Sequence, residues 1–138
     1  MKKEKNLTVL LDTHVILRWF EDEPRLPASH RRVIRRAEPK RPLRISDISL
    51  WEIAMLHGLG RLRLRLPLRD WLDRAVAPPL VARCGISPAV AAEVAALPPT
   101  FHRDPADRII VATARVLDAI LLTGDNRIIA SDLVPTLS

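Results

Sequence analysis

The sequence predicts an α/β fold of three layers, a short central parallel sheet with helices on both faces. The length of 138 residues is one domain's worth of polypeptide, so a single unit spanning residues 1–138 is expected. Short apolar runs alternate along the chain with segments of helical spacing, the pattern of a parallel sheet covered on both sides. Two of the runs end in, or just before, an aspartate (Asp12 and Asp125), and functional groups gather at the carboxyl ends of strands in such sheets.

Taken in order, Leu7–Asp12 reads as a buried strand closed by a carboxylate, and Thr13–Phe20 follows with helical spacing until Glu21-Asp22-Glu23-Pro24 breaks it. Pro27 to about Ala37 is a basic helix stopped by Pro39 and Pro42. Leu43–Ile45 is a very short strand, and Ser46 to about Leu59 an amphipathic helix ended by Gly58 and Gly60. Arg61–Leu66 alternates Arg and Leu, but Pro67 favours an extended connection over a strand. Leu68–Val76 is helical, Leu80–Cys84 strand-like, and Pro88–Leu97 an alanine-rich helix ended by Pro98-Pro99. Asp104–Leu117 is the clearest helix, Ala119–Thr123 another buried strand, Asp125–Ala130 a short helix, and Leu133–Leu137 a weak last strand.

Composition excludes several classes. Hydrophobic residues make up 48% and charged residues 28%, which describes a globular chain rather than a disordered one. No apolar run approaches the roughly 18 residues of a membrane span, and Asp12 cuts short the apolar stretch that a signal peptide would need. The one cysteine, Cys84, cannot form an internal disulfide, which suits a reducing cytoplasm; its apolar strand-like setting reads as core rather than nucleophile. The net charge is +6, and it is concentrated. From Arg25 to Arg44 there are eight basic residues against one acid, Glu38, a local +7. Such a cluster fits a polyanion such as RNA or DNA, and it equally fits a solvated helix face.

Four carboxylates stand out, and each has a capping role open to it. Asp12 and Asp125 precede helices, Glu52 follows Ser49 in a capping-box pattern, and Asp107 lies at the third position after Asp104 with Pro105 between. Two also sit among apolar neighbours: Glu52 shares a helix face with Ile48, Met55, Leu56 and Leu59, and Asp107 with Ile110, Val111 and Ala114. A carboxylate on an apolar face is costly unless it is paired or bound to a cation. With no lysine or histidine partners evident nearby in the sequence, the set favours a hard divalent ion, Mg²⁺ or Mn²⁺, beside a basic groove, which is the chemistry of phosphodiester cleavage. Glycine-rich nucleotide loops are absent, and the four histidines show no zinc-ligand spacing. Trp19, Trp51 and Trp71 lie on amphipathic helices and read as core or interface residues.

The chain resembles a PIN domain, specifically the VapC-type ribonuclease toxins of bacterial toxin–antitoxin pairs. The resemblance is carried by Leu-Leu-Asp12-Thr-His, Ser46-Asp-Ile-Ser-Leu-Trp-Glu52-Ile-Ala, His102-Arg-Asp-Pro-Ala-Asp107-Arg-Ile-Ile-Val-Ala-Thr-Ala and Leu-Leu-Thr-Gly-Asp125, in the family's order over nearly the full chain. It implies a PIN-like fold and a Mg²⁺- or Mn²⁺-dependent endoribonuclease, with Asp12, Glu52, Asp107 and Asp125 as catalytic metal-site residues. Thr13 and Thr123 match positions that support such a site through hydroxyl hydrogen bonds. The resemblance also implies a homodimer and a cognate VapB-type antitoxin. Pro105 suits the first helical position, which makes Asp104 the N-cap and leaves Asp107, one turn in, for the metal. Arg31, Arg32, Arg35 and Arg36 are the candidate RNA contacts. Two other readings stay open on the residues alone. One is a catalytically silent nucleic-acid- or protein-binding α/β domain whose aspartates only cap helices. The other is a phosphoacceptor receiver domain, which would want a late lysine where this chain has none after Lys40.

Overall fold

A computed structural model describes residues 7–138. Five strands, β1 (Thr8–Leu11), β2 (Leu43–Ser46), β3 (Val81–Cys84), β4 (Ala119–Leu122) and β5 (Thr136–Leu137), form one parallel sheet in the order β3-β2-β1-β4-β5. Strand addition proceeds outward from β1 to β3 and then restarts on the other side of β1 with β4. Right-handed crossovers in opposite directions place their helices on opposite faces. Accordingly α1 (Thr13–Phe20), α2 (Ala28–Ile34), α3 (Asp47–Gly58) and α4 (Leu68–Ala75) supply Val15, Ile16, Ile34, Ile53 and Trp71 to one core with Leu11, Ile45 and Leu122. On the other face α5 (Pro88–Ala96), α6 (Pro105–Leu117) and α7 (Asn126–Ser131) pack Val90, Ile110, Val111 and Ile128 against Leu10 and Leu121. The reversal of strand order falls between β1 and β4, whose carboxyl ends therefore border a crevice.

The Arg61–Leu66 segment is an extended connection, as the proline indicates; Leu62, Leu64 and Leu66 half-bury against the α1–α4 core while the arginines face outward. Nearby, Trp71 Nε1 donates to Glu21 Oε2 at 2.8 Å, tying α4 to the end of α1. His30 is fully buried in α2, and its Nε2 donates to the Leu137 carbonyl at 2.7 Å, anchoring the short edge strand β5. Cys84 is half-buried rather than in the core, and burial pushes its thiol above the usual range.

Helix α3 departs from expectation. Its N-cap is Ser46, whose hydroxyl accepts from the Ile48 N–H at 3.2 Å, so the Ser49–Glu52 capping box does not form. Its buried positions are Ser49 and Ile53, whereas Met55 and Leu59, placed in sequence on Glu52's apolar face, are 38% and 60% exposed. The helix starts where the sequence puts it, directly after β2, and packs with its Ser49–Ile53 side inward. No helix among the described residues is long and apolar enough to cross a membrane.

Candidate active site

The crevice at the β1–β4 boundary collects the acidic residues. Asp12 follows β1 directly and is almost fully buried. Its Oδ1 accepts from the Thr13 N–H at 2.8 Å, and its Oδ2 accepts from the Thr123 hydroxyl at 2.6 Å. Thr123 stands just past β4 and also accepts from the Asp125 N–H at 3.0 Å, so one buried hydroxyl joins Asp12 to the turn that carries Asp125. His14 closes the loop: its Nε2 accepts from Gly124 N–H at 2.9 Å, which leaves the proton on Nδ1, 3.5 Å from Asp12 Oδ2.

Glu52 enters from α3. Burial pushes its carboxyl above the ordinary value; the Thr13 hydroxyl opposes this with a hydrogen bond, while the charges of Asp104 and Asp12 add to it. The Thr13 and Ser49 hydroxyls stand 2.8 Å apart, a buried pair in which either can donate.

Helix α6 contributes the two aspartates that spacing alone could not separate. Asp104 is exposed and caps the helix, its Oδ1 accepting from the N–H groups of Ala106 (2.9 Å) and Asp107 (3.4 Å). Asp107 caps nothing, is 8% exposed, and has its carboxyl raised to about 7, first by burial and then by the charges of Asp12, Asp104, Asp125 and Glu52. Asp125 caps α7 through the Arg127 N–H at 2.8 Å; burial works against its charged form, but the Arg127 N–H and guanidinium outweigh it and hold the carboxyl below its usual range.

Contrary to the sequence reading, these carboxylates do have cationic or imidazole neighbours. His14 faces Asp12, His102 Nε2 stands 3.2 Å from Asp107 Oδ2, and the Arg127 guanidinium lies 3.8 Å from Asp107 and 3.6 Å from Asp125. All three lie within a few residues of a predicted aspartate, yet nothing in one-dimensional spacing separates a histidine facing the site from one in the core. The donor set nonetheless fits a cation: oxygens of Asp107 and Asp125 lie with a His102 ring nitrogen within 4.8 Å of one another, and Asp107 is raised by burial and then by the charges of four other carboxylates.

The basic cluster is not part of this constellation. Arg31 is half-buried and commits its guanidinium to the backbone carbonyls of Leu26 (3.1 Å) and Glu23 (3.0 Å). Arg32 and Arg36 line a groove of about 620 Å³ with Val9, Leu43 and Ile120, near the starts of the strands and away from their carboxylate-bearing ends. Arg35 is exposed.

The Asp107 repulsion has a measurable consequence. In the unfolded chain Asp107 titrates near 3.9, whereas in the fold it holds its proton to about pH 7. The folded protein therefore binds more protons between those values, and its stability falls as pH rises from about 4 to about 7. Asp107→Asn in metal-free protein should raise unfolding stability at pH 8 by on the order of 1–4 kcal/mol, with little gain at pH 4. Urea unfolding at the two pH values checks this; an equal effect at both would contradict the repulsion.

Residues 9–132 match the model of the PIN domain family. Over 121 residues the chain is 39% identical to Ribonuclease VapC22 of Mycobacterium tuberculosis, which covers 88% of this chain and 89% of that protein. Among solved structures it is similar to VapBC2 from Rickettsia felis bound to a DNA fragment from their promoter (TM-score 0.70, 15% identity, 95% of this chain and 98% of that one). It is also similar to FitAcB from Neisseria gonorrhoeae (TM-score 0.66, 21% identity, 95% and 97% covered). At these identities the two structures share the fold with this chain, while the family model and the curated relative span most of it. The chain belongs to the PIN domain family.

Proposed function

We propose that this protein is a divalent-metal-dependent endoribonuclease, the toxin of a toxin–antitoxin pair. The observation that carries the chemistry is the crevice at the end of the β1–β4 boundary, where oxygens of Asp107 and Asp125 lie within 4.8 Å of each other and burial together with the charges of Asp12, Asp104, Asp125 and Glu52 raises Asp107. The ribonuclease assignment is supported by the name of the curated relative, and the antitoxin by structural neighbours that include a toxin–antitoxin complex from Klebsiella pneumoniae. A silent domain would use its aspartates as caps. Asp12, Asp104 and Asp125 do cap helices, but Asp107 does not, and a buried carboxylate raised by its neighbours has no use in such a domain.

Asp12, Glu52, Asp107 and Asp125 would hold Mg²⁺ or Mn²⁺. When bound, the ion supplies neutralising charge, polarisation of the phosphate and a water of lowered pKa. The residues around them orient the ligands. Thr123 fixes one oxygen of Asp12 and the Thr13 N–H the other, while the Thr13 hydroxyl acts to keep Glu52 charged. Arg127, 63% exposed at its side chain between Asp107 and Asp125, is placed to meet a phosphate of the substrate. Trp51, Met55 and Leu59 form an exposed apolar stripe along α3 at intervals of four residues. A stripe of this kind needs a protein partner, and we assign it to protein contacts, with the chain acting as a homodimer bound by a VapB-type antitoxin.

The test is RNA cleavage by purified protein with and without chelator. Wild type should cut only with a divalent ion, Asp12→Asn and Asp107→Asn should lose cutting, and Asp104→Ala should retain most of it in the folded fraction while losing about 0.5–2 kcal/mol of stability as a cap removal. Undiminished cleavage by Asp12→Asn would rule out its role at the metal.

The arginines are assigned to RNA affinity rather than chemistry, with Arg31 the least available because of its backbone bonds. In an Asp12→Asn background, charge reversal of Arg32, Arg35 and Arg36 to glutamate should weaken RNA binding and lower the salt slope by roughly 0.7 per lost phosphate contact. An unchanged slope would place the cluster's function elsewhere.

A further inference from the structure

We infer that His102 supplies a nitrogen ligand to the metal centre and thereby tilts the site toward Mn²⁺ over Mg²⁺. The inference rests on the metal-dependent reading above and adds a donor that the carboxylate set does not contain.

The first observation is an unmet need. The His102 side chain is 16% exposed, and neither ring nitrogen is solvent-accessible or hydrogen-bonded. A neutral imidazole carries one donor and one acceptor, and buried polar atoms left without partners are rare enough to call for an explanation. Nε2 approaches Asp107 Oδ2 to 3.2 Å without the alignment of a hydrogen bond, so the carboxylate beside it does not satisfy it.

Position supplies the second. One ring nitrogen of His102 and one carboxylate oxygen each from Asp107 and Asp125 all lie within 4.8 Å of one another. Donors around a single ion at about 2.1 Å stand roughly 3–4 Å apart, so modest side-chain rotation closes this group on an ion. The ring is also held in place. It packs on Phe101 with centroids 4.5 Å apart, and Arg108 from α6 donates to the carbonyls of Phe101 (2.9 Å) and His102 (3.2 Å). The helix that carries Asp107 thus fixes the backbone that carries His102, which is the preorganisation a ligand requires.

The donor chemistry sets the direction of selectivity. Mg²⁺ takes oxygen ligands in near-ideal octahedral geometry, whereas a first-row transition ion accepts imidazole nitrogen alongside carboxylate oxygen. Of the two ions proposed for this site, Mn²⁺ gains more from His102.

Pulsed EPR of Mn²⁺ bound to the full-length protein reads the contact directly, because an imidazole nitrogen on the ion produces a ¹⁴N hyperfine coupling. The coupling should appear in wild type, persist in His14→Ala and vanish in His102→Ala and His102→Gln. Calorimetric titrations should show His102→Ala losing about tenfold in Mn²⁺ affinity, with Mg²⁺ affinity changed less than twofold. Mn²⁺ bound without ¹⁴N coupling, coupling lost in His14→Ala instead, or equal weakening of both ions would overturn the ligand role and leave metal dependence standing. Absence of binding by either ion to wild type would overturn both. If His102→Ala fails to fold, His102→Gln and the persistence of the wild-type coupling in His14→Ala decide the question.

Discussion

Carboxylates press on Asp107 from four directions: Asp12 at the end of β1, Glu52 on α3, Asp104 at the start of its own helix, and Asp125 beyond β4. Like charges gathered in a half-dry crevice oppose folding, and the raised carboxyl of Asp107 expresses first its burial and then that repulsion. Much of the remaining architecture around the crevice can be understood as a means of keeping these groups together. Thr123 and the Thr13 N–H hold the Asp12 carboxylate from two sides, and the Ser49–Thr13 pair supports Glu52.

The topology supplies a second compensation. Asp12, Asp104 and Asp125 are the N-caps of α1, α6 and α7, so three helix N-termini border one crevice. The positive ends of their backbone dipoles favour negative charge there. Capping and metal holding, which look like rival explanations when each residue is taken singly, are compatible in this fold for Asp12 and Asp125. Only Asp107 and Glu52 stand outside the capping arrangement, and those two have raised carboxyls.

Most of the fold was legible from the chain because each strand is a short apolar run and each helix has a local signal: Pro105 after Asp104, Pro88 after Ser87, and the Pro98-Pro99 stop. The start of α3 at Ser46 was legible too, but Ser46 and Ser49 are both competent caps, so the Ser49–Glu52 capping pattern misled, and only the end of β2 decides between them. The four carboxylates were legible as a set by motif. Their surroundings were not. His14 reaches Gly124 across 110 positions, and His102 meets Asp125 only through packing between α6 and the β4 turn, so neither contact leaves a trace in local spacing. The arginines of α2 illustrate the opposite failure: a charge cluster is obvious in sequence, but whether a guanidinium faces solvent or, like Arg31, its own backbone is settled by the turn before the helix.

The claim that a divalent ion relieves the repulsion centred on Asp107 is tested most directly by thermal unfolding at pH 8 with increasing Mg²⁺. A ligand that binds only the folded state raises its stability with concentration. The melting temperature of wild type should rise saturably with Mg²⁺, and that of Asp107→Asn should start higher and respond weakly. A wild-type melting temperature unmoved by Mg²⁺, or an identical rise in both proteins, would contradict the account.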